Sequence, residues 1–107
     1  MIKIYGMATC PDCVDIKEQI KGREAEFDYV DIGTHVKLLK EFMRIRDTSP
    51  VFEEARKEGY AGIPCFVLEN GDVSLTPEDA GLETHERTPE MIQACSIEDH
   101  LNHVGGC

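Results

Sequence analysis

The sequence predicts an α/β fold in which a mixed four-stranded sheet is flanked by helices, in the order β-α-β-α(α)-β-β-α. In the first half of the chain, short stretches of strand character alternate with helical patterns, which favours parallel strands joined by right-handed crossovers. Further on, Asn70-Gly71 is a strong hairpin signal, because both residues tolerate the positive φ of a type I′ turn. The hairpin adds an antiparallel pair, so the predicted sheet is mixed.

The first part of the chain supplies two strands and a helix. Apolar residues alternate in Met1–Tyr5, which predicts a strand that ends at Gly6. Pro11 suits a first helical turn, because the amide hydrogen that proline lacks would be unpaired there. This helix is predicted to continue to about Lys21, and Phe27–Ile32 is predicted as the second strand.

A two-part helical crossover is predicted next. Thr34 is a candidate cap for a helix whose apolar residues recur at helical spacing, and a second short helix is predicted over Pro50–Glu58. Cys65–Leu68 and Val73–Leu75 then form the third and fourth strands. They flank the Asn70-Gly71 turn and are therefore predicted to pair antiparallel.

The end of the chain is predicted as a loop followed by a helix. Thr76–Arg87 is polar and contains proline and glycine, and Thr88-Pro89-Glu90 is a typical helix start, with Cys95 on the apolar side of that helix. No internal repeat or linker is evident in the sequence. We therefore expect residues 1–107 to form a single domain.

Charge excludes two classes of partner. The chain has 11 Lys and Arg against 21 Asp and Glu, which gives a net charge of −10. Such a surface repels phosphate backbones and anionic lipid, so neither nucleic acid nor membrane is expected as a partner. No secretory signal precedes the first cysteine, so we expect a cytoplasmic protein. No large apolar surface is indicated, and we expect a monomer.

The segment Cys10-Pro11-Asp12-Cys13 carries the chemistry. It lies between a predicted strand and a predicted helix, where amide groups and the helix dipole favour the thiolate of Cys10. A thiolate is the attacking species in disulfide exchange, and Cys13, about one turn further on, can resolve the mixed disulfide. Asp12 opposes the thiolate through its charge. We predict Cys10 and Cys13 as catalytic residues, with no metal and no organic cofactor.

Other roles for the cysteines stay open. A C-x-x-C pair can be half of a zinc site, whose other half would be Cys65 or His100 and His103, although that spacing matches no common zinc motif. Cys65 is either a small buried hydrophobe or a third thiol beside the first two. Cys107 follows two glycines and is either a spectator or a thiol that reaches the active site or another chain.

Pro64 begins the predicted third strand. Because an X-Pro bond is cis in only about 5–6% of folded cases, the residues alone favour a trans Ile63–Pro64 bond.

Taken together, four segments resemble the glutaredoxin branch of the thioredoxin superfamily. They are Ile2–Gly6, Thr9–Cys13, Gly62–Val67 and Asn70-Gly71, and the resemblance extends over about Met1–Leu75. It implies a thioredoxin-like fold in which Pro64 is cis and lies beside the two cysteines. It also implies a substrate-binding set of Thr9, Pro11, Ile63 and Pro64, with the backbone of Ile63 pairing with an extended substrate.

The sequence departs from that family where glutathione is usually held. Met7 and Ala8 lie where glutathione-using members usually carry a basic residue, Asp12 replaces an aromatic residue, and Thr76–Gly81 lacks the usual Gly-Gly pair. Glutathione carries two carboxylates, so an acidic chain without those contacts should bind it weakly.

The predicted function is that of a thiol–disulfide oxidoreductase. Its substrates would be disulfide-containing proteins or glutathione mixed disulfides, and its reductant either glutathione or a thioredoxin-reductase-type enzyme. Two alternatives remain. One is a scaffold that holds an iron–sulfur cluster or a thiophilic metal through Cys10 with Cys13 or Cys65. The other is an interaction protein that is switched by a disulfide.

Overall fold

A computed structural model describes residues 1–84 of the chain. The four strands and three helices follow one another in the predicted order, as β1 Ile2–Gly6, α1 Pro11–Gln19, β2 Phe27–Asp31, α2 Val36–Thr48, α3 Glu53–Glu58, β3 Cys65–Val67 and β4 Val73–Ser74. The helix predicted from Thr88, together with Cys95, His100, His103 and Cys107, lies outside the described residues.

The sheet has the strand order β2-β1-β3-β4. β1 is parallel to β2 and antiparallel to β3, and Ile4 lies opposite Tyr29 on one side and opposite Phe66 on the other. β3 and β4 form the antiparallel pair around the Asn70-Gly71 turn, where Gly71 has a φ of 91°. The predicted mixed four-stranded sheet and the thioredoxin-like α/β fold are therefore confirmed.

Helix α1 begins where the sequence predicts and ends earlier. Pro11 occupies its first turn, after Cys10 in an extended conformation. After Gln19, the Lys21 amide donates to the carbonyl of Glu18, three residues earlier, at 3.3 Å, and this tighter turn replaces the α-helical hydrogen bond. The predicted end at about Lys21 is therefore two residues too late.

The start of α2 corrects the predicted cap. His35, not Thr34, precedes the helix, and its Nδ1 accepts a hydrogen bond from the Lys37 amide at 3.0 Å. The Thr34 hydroxyl instead donates to the carbonyl of Asp31 at 2.8 Å. Thr34 thus stabilises the turn after β2. Because its hydroxyl is engaged there, it does not cap α2.

The crossover is in two parts, as predicted, but its second part is not a single helix. Pro50–Phe52 forms a 3₁₀ turn and α3 begins only at Glu53. The Arg46 guanidinium donates to the carbonyls of Tyr60 at 2.8 Å and Ala61 at 3.1 Å. Arg46 therefore ties α2 to the chain that leads into β3.

Two buried clusters lie on opposite faces of the sheet, since neighbouring residues of a strand point to opposite sides. Ile4 and Phe66 belong to one cluster, with Ile16 and Ile20 of α1. The other cluster is formed by residues of β1, β3, the start of α1, the crossover and the adjoining loops, namely Tyr5, Cys10, Cys13, Ile32, Phe42, Phe52, Ala55, Ile63 and Cys65. Both cysteines of the C-x-x-C segment therefore lie within a core cluster.

The segment after β4 is more ordered than predicted. Pro77–Ala80 forms a 3₁₀ turn within the predicted loop Thr76–Arg87. Ser74 donates a hydrogen bond to the Asp79 carboxylate and accepts one from the Thr76 amide, and both contacts hold this turn against the end of β4. None of the helices within residues 1–84 has the length and apolar character that crossing a membrane requires.

Candidate functional site

The two cysteines at the start of α1 form the centre of the candidate site. Both are free thiols. Cys10 is 5% exposed, whereas Cys13 is completely buried. A reagent in solution therefore reaches Cys10 first.

The two thiols have opposite pKa shifts. The pKa of Cys10 is lowered, chiefly because the Cys13 side chain hydrogen-bonds to it, and the backbone amides of Cys13 and Asp12 contribute in the same direction. The pKa of Cys13 is raised, first by its hydrogen bond to Cys10 and then by burial. Cys10 is thus the more acidic thiol of the pair, and Cys13 is the hydrogen-bond donor.

The charge of Asp12 acts against both thiolates. It raises the pKa of Cys10 and the pKa of Cys13, although it is a smaller cause than the contact between the two thiols. Asp12 therefore raises the pKa of Cys10, as predicted. The hydrogen bonds from the Cys13 thiol and from the amides of the helix start lower this pKa by more than Asp12 raises it.

Tyr29 is a residue of this site that the sequence interpretation missed. A Cβ atom added at Gly6 would lie 2.5 Å from the Tyr29 hydroxyl and 3.0 Å from the Cys13 Sγ, so both atoms lie against the same glycine. The pKa of Tyr29 is raised by burial and then by the charge of Cys13, to which its hydroxyl also hydrogen-bonds. Only the register that places Tyr29 beside β1 could have revealed this contact in advance.

The loop before β3 brings Ile63 into the cluster that contains Cys10 and Cys13, and Pro64 beside it is also buried. The Ile63–Pro64 bond is cis, so the trans bond favoured by the residues alone is wrong, and the cis bond implied by the family resemblance is confirmed. The ring of Phe52 packs so closely against Gly62 that a Cβ atom there would clash with it, and Gly62 has a φ of 87°. This close approach of the chain to the crossover places Ile63 and Pro64 in the core.

The other predicted substrate-binding residues lie at the rim of the cysteine pair. Thr9 is exposed and Pro11 is half-buried, and they flank Cys10 directly. Thr9 and Pro11 thus belong to the segment that carries Cys10, and Ile63 of the loop before β3 lies in the same buried cluster as Cys10 and Cys13.

Cys65 is a buried, unmodified thiol. It is completely buried, and burial raises its pKa to about 12. At neutral pH it is therefore protonated, which fits the small hydrophobe considered above. Within residues 1–84 no group of three or more His, Cys, Asp and Glu side chains is arranged to hold a metal ion.

Comparison with known proteins agrees with this geometry. The glutaredoxin family model matches residues 2–65, which is more than half of the chain. An uncharacterized protein of Haemophilus influenzae is 40% identical over 72 residues, a segment that spans 67% of this chain and 84% of that protein. No solved structure matches the chain. The matched region runs from β1 to the first residue of β3 and so contains both cysteines and the cis proline, and the chain belongs to the glutaredoxin family.

Proposed function

We propose that this protein is a dithiol thiol–disulfide oxidoreductase in which Cys10 attacks and Cys13 resolves. The observation that carries the proposal is the C-x-x-C segment at the start of α1, where Cys10 precedes the helix and is slightly exposed and Cys13 is buried within its first turn. The opposite pKa shifts of the two thiols agree with this arrangement. Membership of the glutaredoxin family supports this general class of reaction. The order of the two cysteines follows from their exposure and from which of them is the more acidic.

The first step is attack of the Cys10 thiolate on one sulfur of a substrate disulfide. A bond forms between the Cys10 Sγ and that sulfur, the substrate S–S bond breaks, and the second substrate sulfur leaves as a thiolate that takes a proton from solvent. The product is a mixed disulfide on Cys10.

In the second step, Cys13 loses its proton to solvent and its thiolate attacks the Cys10 Sγ. The Cys10–Cys13 disulfide forms while the remaining substrate sulfur leaves as a thiolate and is protonated, so the substrate gains two electrons and the protein loses two. An external dithiol or two monothiols then reduce the protein disulfide, which closes the cycle without a metal or an organic cofactor.

The substrate is proposed to lie along the loop before β3. An extended segment would pair with the backbone of Ile63, and Thr9 and Pro11 would border it on the other side. Disulfide-containing proteins and glutathione mixed disulfides both offer such a segment.

The positions at which the family usually holds glutathione favour a different reductant in this chain. Met7 and Ala8 precede Cys10 without a positive charge, and the 3₁₀ turn Pro77–Ala80 carries the carboxylates of Glu78 and Asp79. Both features disfavour a ligand with two carboxylates of its own. A thioredoxin-reductase-type enzyme is therefore the reductant that we favour over glutathione.

The test is turnover of a small mixed disulfide and of a protein disulfide, each with the glutathione system and with a thioredoxin reductase. We expect turnover that Cys10→Ser abolishes, and Cys13→Ser should trap mixed disulfides with partners. Full turnover by Cys10→Ser would contradict the proposal. Faster turnover with glutathione than with thioredoxin reductase would contradict the choice of reductant alone.

A further inference from the structure

The contact between Tyr29 and Cys13 has no part in the mechanism above. The Tyr29 hydroxyl and the Cys13 Sγ both lie against Gly6, in a position where β1 has no side chain of its own. Tyr29 is half-buried and packs against the clusters on both faces of the sheet. A polar hydroxyl is thus held beside the less accessible of the two thiols.

The groups around this hydroxyl keep it protonated. Burial raises the pKa of Tyr29 above its usual value, and the charge of Cys13 in its thiolate form, the charge of Asp31 and the charge of the Cys10 thiolate act in the same direction. The Lys17 ammonium lies 5.3 Å from the centre of the ring and interacts with the ring face, and its positive charge is not among the causes of the raised pKa. At neutral pH the hydroxyl is therefore a neutral donor, and its proton can point toward a thiolate.

We propose that Tyr29 is a positioning residue whose hydroxyl donates a hydrogen bond to the Cys13 thiolate during resolution. The inference rests on the proposed dithiol mechanism and adds a residue to its second step. Cys13 is buried, so its thiolate needs a donor in place of water. Cys10 has the amides of Asp12 and Cys13 for this purpose, and Tyr29 supplies a corresponding donor to Cys13, beside the backbone amide of Met7.

Tyr29 keeps its proton throughout this step. The Cys13 proton leaves to solvent, the Cys13 thiolate attacks the Cys10 Sγ, and the substrate sulfur leaves with the electron pair of the broken S–S bond. The same donor acts again when the Cys10–Cys13 disulfide is reduced at Cys10, since Cys13 is then the leaving thiolate.

Reaction of the reduced protein with Ellman's reagent separates the two steps. Attack by Cys10 releases one thionitrobenzoate in a phase that depends on reagent concentration, and resolution by Cys13 releases a second in a phase that does not. In Tyr29→Phe we expect the second phase to slow about tenfold at neutral pH, the effect of losing one hydrogen bond to a charged group, while the first phase stays within about twofold. Tyr5→Phe is the matched control, because Tyr5 lies on the adjacent strand and its hydroxyl bonds to Glu41.

The outcomes separate this inference from the mechanism on which it rests. If the wild-type protein shows no concentration-independent second phase, the dithiol mechanism itself fails. If that phase is present but Tyr29→Phe leaves its rate unchanged, or slows both phases equally, the role of Tyr29 is overturned and the mechanism stands.

A second measurement does not depend on turnover. In Cys10→Ala, the thiolate of Cys13 can be titrated as the difference in ultraviolet absorbance from Cys10→Ala/Cys13→Ala, which removes the contribution of the other cysteines and of the tyrosines. Asp12 is the charged group that acts on Cys13, and Asp31 and Lys17 lie around Tyr29. Adding Tyr29→Phe should lower the thiolate fraction of Cys13 about tenfold at a given pH below its pKa. An unchanged titration would overturn the proposal.

Discussion

Cys10 and Cys65 are the same residue type and lie in the same buried cluster, yet the pKa values of their thiols are shifted in opposite directions. The pKa of Cys10 is lowered, chiefly by the Cys13 thiol and with help from the amides of the α1 start, whereas burial raises the pKa of Cys65 to about 12. Burial disfavours a thiolate at both positions. The comparison shows that hydrogen-bond donors at the start of a helix lower the pKa of one buried thiol, whereas burial without them raises the pKa of the other.

The largest expected difference between the two cysteines is in turnover. Cys10→Ser should lower the rate of disulfide reduction at least about 1,000-fold, because Cys10 is the one cysteine of residues 1–84 whose pKa is lowered. Cys65→Ala should leave the rate within about twofold per folded molecule, since its thiol is protonated and fully covered. The measurement is steady-state reduction of a protein disulfide, normalised to the folded fraction from circular dichroism.

A loss of turnover in Cys65→Ala comparable to that in Cys10→Ser would contradict the difference in reactivity expected between the two cysteines. It would make Cys65 a third redox thiol instead of a packing residue.

Rates of alkylation compare the reactivity of Cys10 and Cys65 directly, without a disulfide substrate. At neutral pH, Cys10 should react with iodoacetamide at least about 100-fold faster than Cys65, because reactivity follows the thiolate fraction and access of the reagent. Mass spectrometry of peptides after timed quenching measures both rates in one sample. Equal rates in the folded protein, with Cys65 unprotected, would contradict the structure around β3.

Replacement of Cys13 tests the hydrogen-bond donor that Cys10 has and Cys65 lacks among the causes of its pKa shift. Cys13→Ala removes the side-chain hydrogen bond that is the main cause of the lowered pKa of Cys10, so this pKa should rise by about one unit. Cys13→Ser retains a hydroxyl donor and should raise it less. The pH dependence of the alkylation rate of Cys10 measures both changes, and an equal rise in the two variants would show that the hydrogen bond is not the cause.

Much of this site could be predicted from the sequence, because it depends on local patterns. The helix start at Pro11 and the segment from Cys10 to Cys13 are local, and the order of elements along the chain and the mixed sheet follow from alternating patterns and one hairpin signal. The cis Ile63–Pro64 bond could not be obtained from local preferences, which favour trans. Tyr29 was missed because its contact with Cys13 depends on the register of β2 against β1 and on a glycine at position 6, and single-residue preferences contain neither.

The smallest effect that we expect comes from Asp12, whose negative charge disfavours the thiolate of Cys10. Asp12→Asn removes a negative charge that raises the pKa of Cys10, so this pKa should fall. The thiolate is the form present above the pKa, and a lower pKa therefore extends the reactive range toward acid. At a pH below the wild-type pKa of Cys10, we expect the rate of alkylation of Cys10 to rise about two- to fivefold.

At a pH well above that pKa, the same substitution should leave the alkylation rate nearly unchanged, because Cys10 is then fully ionised in both proteins. Asp15→Asn is the matched control, since it removes a carboxylate from the same helix at a residue that is not among the causes of the shift at Cys10. Added salt weakens interactions between exposed charges, so a charge effect of half-buried Asp12 should decrease as salt is raised. A gain that is the same at all pH values and in both variants would instead indicate a change in access to Cys10, and the charge of Asp12 would then have no part in setting its reactivity.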